Sequence, residues 1–158
     1  MSKPKKRRYA RLSRVRELSS PSYGSKGNAL LSRKHIDSHE AIKHINKGLP
    51  FSELEHLRSE LDEPLDALAQ QLSISRSTLQ RRKAERRLAP DESDRVMRFW
   101  RILRHAAKVF GTVDRARQWL KYPQRGIGYA VPLEYATTEI GAREVDDMLG
   151  RIEYSVYW

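Results

Sequence analysis

Residues 75–83 read SRSTLQRRK, a dense run of hydroxyl, amide and guanidinium groups. These are the groups that meet nucleic acid. A guanidinium forms two hydrogen bonds with a guanine edge, and hydroxyls reach bases or phosphates. Ser75 is a good helix N-cap. Arg76, Ser77 and Thr78 then occupy the first turn of the helix it caps. Gln80 and Arg81 lie further along, and Arg82, Lys83, Arg86 and Arg87 are placed to meet the phosphate backbone. Between Arg76 and Arg87 there are six basic residues and one acid, Glu85. Phosphate contacts supply affinity and salt dependence, while base contacts supply specificity. A basic helix on its own is usually a solvated face, so the neighbouring elements must decide.

Other polar groups assemble no reaction centre. His35 and His39 are four apart and His44 follows, but no carboxylate or cysteine arrangement completes a metal pattern, and they read as surface histidines. The GIG at 126–128 opens no helix with dinucleotide spacing, so it reads as a turn. Glu139, Glu144, Asp146 and Asp147 resemble paired acids, yet most fall on the solvent side of a helix. Trp100 and Trp119 sit at core spacings. No metal site, no cofactor and no enzymatic activity are expected. The chain ends LGRIEYSVYW, with Tyr154, Tyr157 and Trp158 in its last five residues. Chain ends are usually frayed and polar. Such an end either folds back onto its own domain or is covered by something else.

The 158 residues allow one domain or two small ones. The net charge is +11, and residues 1–35 carry +10 of it. The remainder is nearly balanced. A basic arm favours a polyanion partner. Its mixture with Ser, Gly and Pro reads as a disordered arm over 1–35. Its run KPKKRR also matches a nuclear-import pattern that arises often by chance. There is no apolar run near 18 residues, so no membrane span is expected, and no signal peptide. The absence of cysteine rules out disulfides and fits the cytosol.

From about Ser38 the periodicity is helical. Ser38 and Ser52 are offered as caps, Pro64 as a first-turn residue, and Gly48 and Gly111 as stops. A long helix runs from about Ser93 to Phe110, with Val96, Phe99, Trp100, Leu103, Ala107 and Phe110 spaced three and four apart. A helix capped by Thr112 follows, then a loop PQRGIGYAVP and a last helix over AREVDDMLGRIEY. The fold class is all-α, with about seven short helices. Residues 65–87 form a helix, a very short turn and a second helix. Ala69 is small where the two approach, and Ile74 and Leu79 plug the angle between them. That is the helix-turn-helix layout, in which the second helix enters the major groove N-terminus first.

From about Gly48 to its end the chain resembles the antitoxins of bacterial RES–Xre toxin–antitoxin pairs, the MbcA/ParS/Xre antitoxin family. The resemblance rests on GLPFSELEHLRSEL, SISRSTLQRRKAERRLAPDESDRVMRFWRIL, AKVFG, RQWLKYP and EIGAREVDDMLGRIEY. It departs at Ser155, where the family places Gly after RIEY, and at Val131, where the family places Thr. The resemblance implies an Xre-like helix-turn-helix domain over 36–89 and a small helical toxin-binding domain over 90–158. It implies a RES-domain toxin that degrades NAD as partner, operator DNA as target, and autorepression as a homodimer in the cytoplasm, at the nucleoid when bound. On this reading Arg151, Glu153, Tyr154, Val156, Tyr157 and Trp158 form a surface the toxin covers, while Ile152 belongs to the core. Trp, Tyr and Arg are the residues most enriched among binding hot spots. The alternatives are a stand-alone helix-turn-helix regulator with a C-terminal ligand-sensing or dimerisation domain, and, more remotely, an enzyme.

Overall fold

The three-and-four apolar spacing between Val96 and Ala107 builds the spine of the fold. The computed structural model describes residues 37–154, so the basic arm, His35, Val156, Tyr157 and Trp158 lie outside the described residues. In chain order the elements are α1 (Ser38–Lys47), α2 (Phe51–Leu61), α3 (Leu65–Gln71), α4 (Arg76–Glu85), α5 (Pro90–Phe110) and α6 (Val113–Lys121). A 3-10 turn (Arg125–Ile127), α7 (Pro132–Tyr135) and α8 (Glu139–Glu153) complete them. The described residues hold two isolated antiparallel bridges, Pro50 with Arg87 and Gln124 with Ala130, and no strand. The architecture is all-α. Among the described residues no helix is long and apolar enough to cross a membrane.

At 1.5 Å rise per residue, α5 is about 30 Å long, and α1, α2, α6 and α8 all pack against it. Val96, Phe99, Trp100, Leu103 and Ala107 are all buried along it. Burying each large side chain of this kind contributes roughly 1.5–3 kcal/mol. Phe110 is half-buried and its ring lies 5.5 Å from that of Trp119 on α6, which closes the turn at Gly111.

Several helix ends differ from the sequence expectation. Asp37, not Ser38, caps α1 by accepting from the Glu40 amide at 2.8 Å. Helix α2 begins at Phe51 behind Pro50, so Ser52 is already inside it, and Pro64 is the N-cap of α3. Helix α5 starts at Pro90, three residues early, because the Glu92 carboxylate accepts from the Ala89 amide at 2.8 Å. Helix α8 starts at Glu139, with Thr138 capping the Gly141 amide at 3.1 Å. Ser75 and Thr112 cap α4 and α6 as expected. The loop after Tyr122 contains the 3-10 turn and the four-residue α7, neither of which the Pro and Gly content announces.

Two glycines are required by close approach. Gly48 has φ +80°, and a Cβ there would lie 2.3 Å from the Leu88 carbonyl. This is where the α1–α2 turn is stitched to the α4–α5 turn: Leu88 N donates to Leu49 O at 2.8 Å and Phe51 N donates to Arg86 O at 3.0 Å. The buried Ser93 hydroxyl completes the stitch, accepting from Leu49 N at 2.8 Å and donating to Ala89 O at 2.7 Å. Gly141 lies in the first turn of α8, where a Cβ would fall 1.9 Å from the Tyr135 carbonyl of α7.

Candidate nucleic-acid interface and the C-terminal end

Helices α3 and α4 are joined by four residues, and the crossing is set by three buried side chains. Ala69, Ile74 and Leu79 are 2%, 4% and 1% exposed. Ser73 adopts φ +54° in the turn, and the Ile74 amide donates to the Ala69 carbonyl at 2.8 Å. The turn therefore closes on hydrogen bonds to the last part of α3. The Ser75 hydroxyl accepts from the Thr78 amide at 3.2 Å, donates to the Thr78 hydroxyl at 2.9 Å and lies 3.1 Å from that of Ser77. These bonds fix the first turn of α4 and its exposed Arg76.

Around α4 the residues sort by angle. Arg76, Ser77, Gln80, Arg81, Lys83 and Ala84 are exposed. Leu79 is buried, and Thr78 and Arg82 are half-buried beside it. At 100° per residue, Arg82 follows Leu79 by three and shares its inward face. The phosphate-contacting role expected for Arg82 conflicts with this position. Its Nε donates to both Glu92 oxygens, at 3.0 and 2.8 Å, and its Nη1 donates to Glu85 at 2.8 Å. Those bonds to Glu92 and then to Glu85 raise the Arg82 pKa further above its usual value. Arg87 is likewise committed: its Nη1 donates to the carbonyls of Lys47 at 3.2 Å and Gly48 at 2.7 Å. Arg86, in the left-handed conformation at φ +55°, ends α4 and stays exposed. The outward arc thus presents Arg76, Ser77, Gln80, Arg81, Lys83 and Arg86.

At the other end of α5 a ladder of charges runs across to α8. Arg98 Nε donates to Glu139 at 2.9 Å and Arg98 Nη2 to Asp94 at 3.0 Å. Arg101 Nε donates to Asp146 at 2.8 Å, and His105 Nδ1 lies 3.2 Å from the same carboxylate. His105 Nε2 lies 3.5 Å and Lys108 Nζ 2.6 Å from Glu153. Burial pushes the Glu139 carboxyl up, but Arg143, Arg101 and Arg98 together hold it below its usual range. The Lys108 bond, aided by His105, lowers the Glu153 pKa. Glu144 accepts from the Tyr135 hydroxyl at 2.8 Å, which raises that phenol's pKa. The acids singled out in the sequence are thus mostly wired to partners.

Of the residues expected at the C-terminal surface, Arg151 and Tyr154 are exposed, Tyr154 by 75%. Glu153 is half-buried and turned towards α5. Ile152 is half-buried as well. Val156, Tyr157 and Trp158 lie outside the described residues. His39 is exposed and His44 lies 3.9 Å from Glu40, and no group of three or more metal-ligating side chains forms among the described residues. Sequence reasoning missed Glu92, Ser93, His105 and Lys108. The signal available for the first was Leu79-to-Arg82 spacing, which turns a guanidinium inward and demands an acid.

Residues 40–101 match the antitoxin Xre-like helix-turn-helix domain, and residues 105–154 match the antitoxin Xre/MbcA/ParS C-terminal toxin-binding domain. An antitoxin Xre of Photorhabdus laumondii is 34% identical over 114 residues, 71% of this chain and 77% of that protein. An antitoxin Xre of Yersinia enterocolitica is 39% identical over 84 residues, 52% of this chain and 57% of that protein. One from Pseudomonas putida is 37% identical over 65 residues, 41% of each chain. With a helix-turn-helix match, a toxin-binding match and relatives of one kind over up to 71% of its length, the chain belongs to the Xre/MbcA/ParS antitoxin family.

Proposed function

We propose that this antitoxin neutralises a RES-domain toxin, an NAD-degrading enzyme, through residues 90–158, and represses its own operon through residues 36–89. The DNA-bound form is a homodimer on a palindromic operator, whose half-sites lie about 10 base pairs apart or a multiple of that. The observation that carries the DNA half is the sorting of α4. Its inner face is locked by Leu79 and Arg82, while Arg76, Ser77, Gln80, Arg81, Lys83 and Arg86 line the outer arc. Arg76 and Gln80 are one turn apart and read bases, with Ser77 beside them. Ser75 and Thr78 hold the first turn, and Arg81, Lys83 and Arg86 meet phosphates. The toxin half is supported by the exposed Arg151 and Tyr154 at the end of α8. From the sequence alone, Val156, Tyr157 and Trp158, which lie outside the described residues, are assigned to the same toxin contact. Co-expression with a tagged RES-domain toxin tests the reading. The chain is expected to co-purify with it, and the complex or free antitoxin to retard DNA from the promoter of its own operon. Absence of both interactions contradicts it.

A further inference from the structure

The loop between α6 and α7 displays two large aromatic rings on a rigid frame. Tyr122 and Tyr129 are 70% and 69% exposed. The Gln124 amide donates to Ala130 O and the Tyr129 amide to Gln124 O, both at 2.9 Å. The Gln124 side-chain amide donates to the carbonyls of Trp119 at 3.1 Å and Tyr122 at 2.9 Å. Ile127 plugs the loop into the core. Tyr129 has φ +65°, a conformation that suits Gly or Asn and is strained for a bulky residue. Packing gives no reason for that choice, because the ring stands in solvent. Strain that holds a side chain outward points to function.

The loop adjoins the C-terminal end. A Cβ on Gly126 would lie 2.9 Å from the Met148 methyl of α8. Arg151 follows Met148 by one turn, and Tyr154 ends the described chain. Arg125 and Arg151 are exposed and form no ion pair with another described residue. All of these residues fall within the stretch that matches the toxin-binding domain. Tyrosine and arginine are the residue types that dominate binding hot spots, and a loop already fixed in shape loses little entropy on binding.

We propose that Tyr122, Arg125 and Tyr129 form a second part of the toxin-binding surface, continuous through Met148 with Arg151 and Tyr154. It fits a protein surface with apolar pockets rimmed by carboxylates. This rests on the toxin-binding reading above. The test is calorimetric titration of the full chain with a purified, catalytically inactive RES-domain toxin. Three forms are compared: wild type, Tyr122→Ala/Tyr129→Gly, and a truncation after Tyr154. Glycine relieves the strain at position 129, so the double variant is expected to melt no lower than wild type. Its Kd is expected to weaken at least thirtyfold, with retardation of promoter DNA unchanged. A Kd within twofold of wild type, while the truncation loses affinity, overturns the loop proposal and leaves the toxin reading standing. No binding by the wild type overturns both. A change in oligomeric mass with unaltered toxin affinity assigns the loop to contacts between copies and also overturns it.

Discussion

Arg82 Nε sits 3.0 and 2.8 Å from the two carboxylate oxygens of Glu92, so the middle of α4 is pinned to the first turn of α5. The Glu92 side chain is 5% exposed and that of Arg82 18%. The same carboxylate caps the Ala89 amide. One acid therefore starts the long helix and fixes the roll of α4, the second helix of the helix-turn-helix.

Glu92→Ala removes the Ala89 cap and one of the two acids bound by the half-buried Arg82, which keeps Glu85. It is expected to destabilise the fold by about 1–3 kcal/mol, read from urea denaturation. The two arginines 82 and 86 separate in salt titrations of DNA affinity. Arg86→Ala is expected to lower the slope of log K against log salt by about 0.9. Arg82→Ala, measured where it remains folded, is expected to leave the slope unchanged. Equal slopes for the two variants contradict the anchoring role.

Arg76 is exposed in the first turn of α4, the turn that the Ser75, Ser77 and Thr78 hydroxyls brace. Arg76→Ala is expected to cost about 1–3 kcal/mol at one base position and to relax discrimination there. Toxin affinity is expected to stay as it was. A panel of single-base operator variants reads the outcome, and an unchanged preference at every position removes Arg76 from base recognition.

Gly141→Ala places a methyl on the Tyr135 carbonyl, 1.9 Å away before relaxation. Separating α7 from α8 is expected to destabilise by about 1–3 kcal/mol, as overpacking does. The neighbouring Gly150 has open space around its missing Cβ. Alanine there is expected to be neutral or stabilising, by up to about 1 kcal/mol from helix propensity. Thermal melting of the two variants checks the contrast.

Much of this was legible in the sequence. The spine of α5 follows from apolar spacing, and the helix-turn-helix from its very short turn, the small Ala69 and the two plugs Ile74 and Leu79. Ser75 and Thr112 announce their helices because capping is local. What escaped depends on where helices cross. Arg82 looked like a phosphate ligand because charge was read without angle. Glu153 looked like a surface residue because Lys108 and His105 lie some 45 residues back, and sequence does not show that α8 runs alongside α5. Pro90 starts α5 early because the Glu92 side chain bonds the Ala89 amide. The short α7 lies in a stretch whose Pro and Gly content reads as a loop.

Glu153 and Glu139 titrate below their ordinary value of 4.5 in the folded chain, the first mainly through Lys108 and the second through arginines that overcome its burial. A folded-state pKa below the unfolded one gives stability that is present above the unfolded value and lost as pH falls through the folded one. Glu60, raised by burial, acts with the opposite sign. Comparing wild type with Glu153→Gln isolates one group. The melting-temperature gap between them is expected to be open at pH 6 and to narrow below pH about 4.5. A gap that is constant from pH 6 to pH 3 contradicts the ion-pair role of Glu153.

The central claim is that this antitoxin shields the cell from an NAD-degrading RES-domain enzyme. Intracellular NAD, measured after induction of that toxin with and without this chain, tests it most directly. NAD is predicted to hold near its uninduced level when the full chain is co-expressed, and to collapse when the chain is truncated after Tyr154. An equal collapse with the full chain and with none contradicts the account.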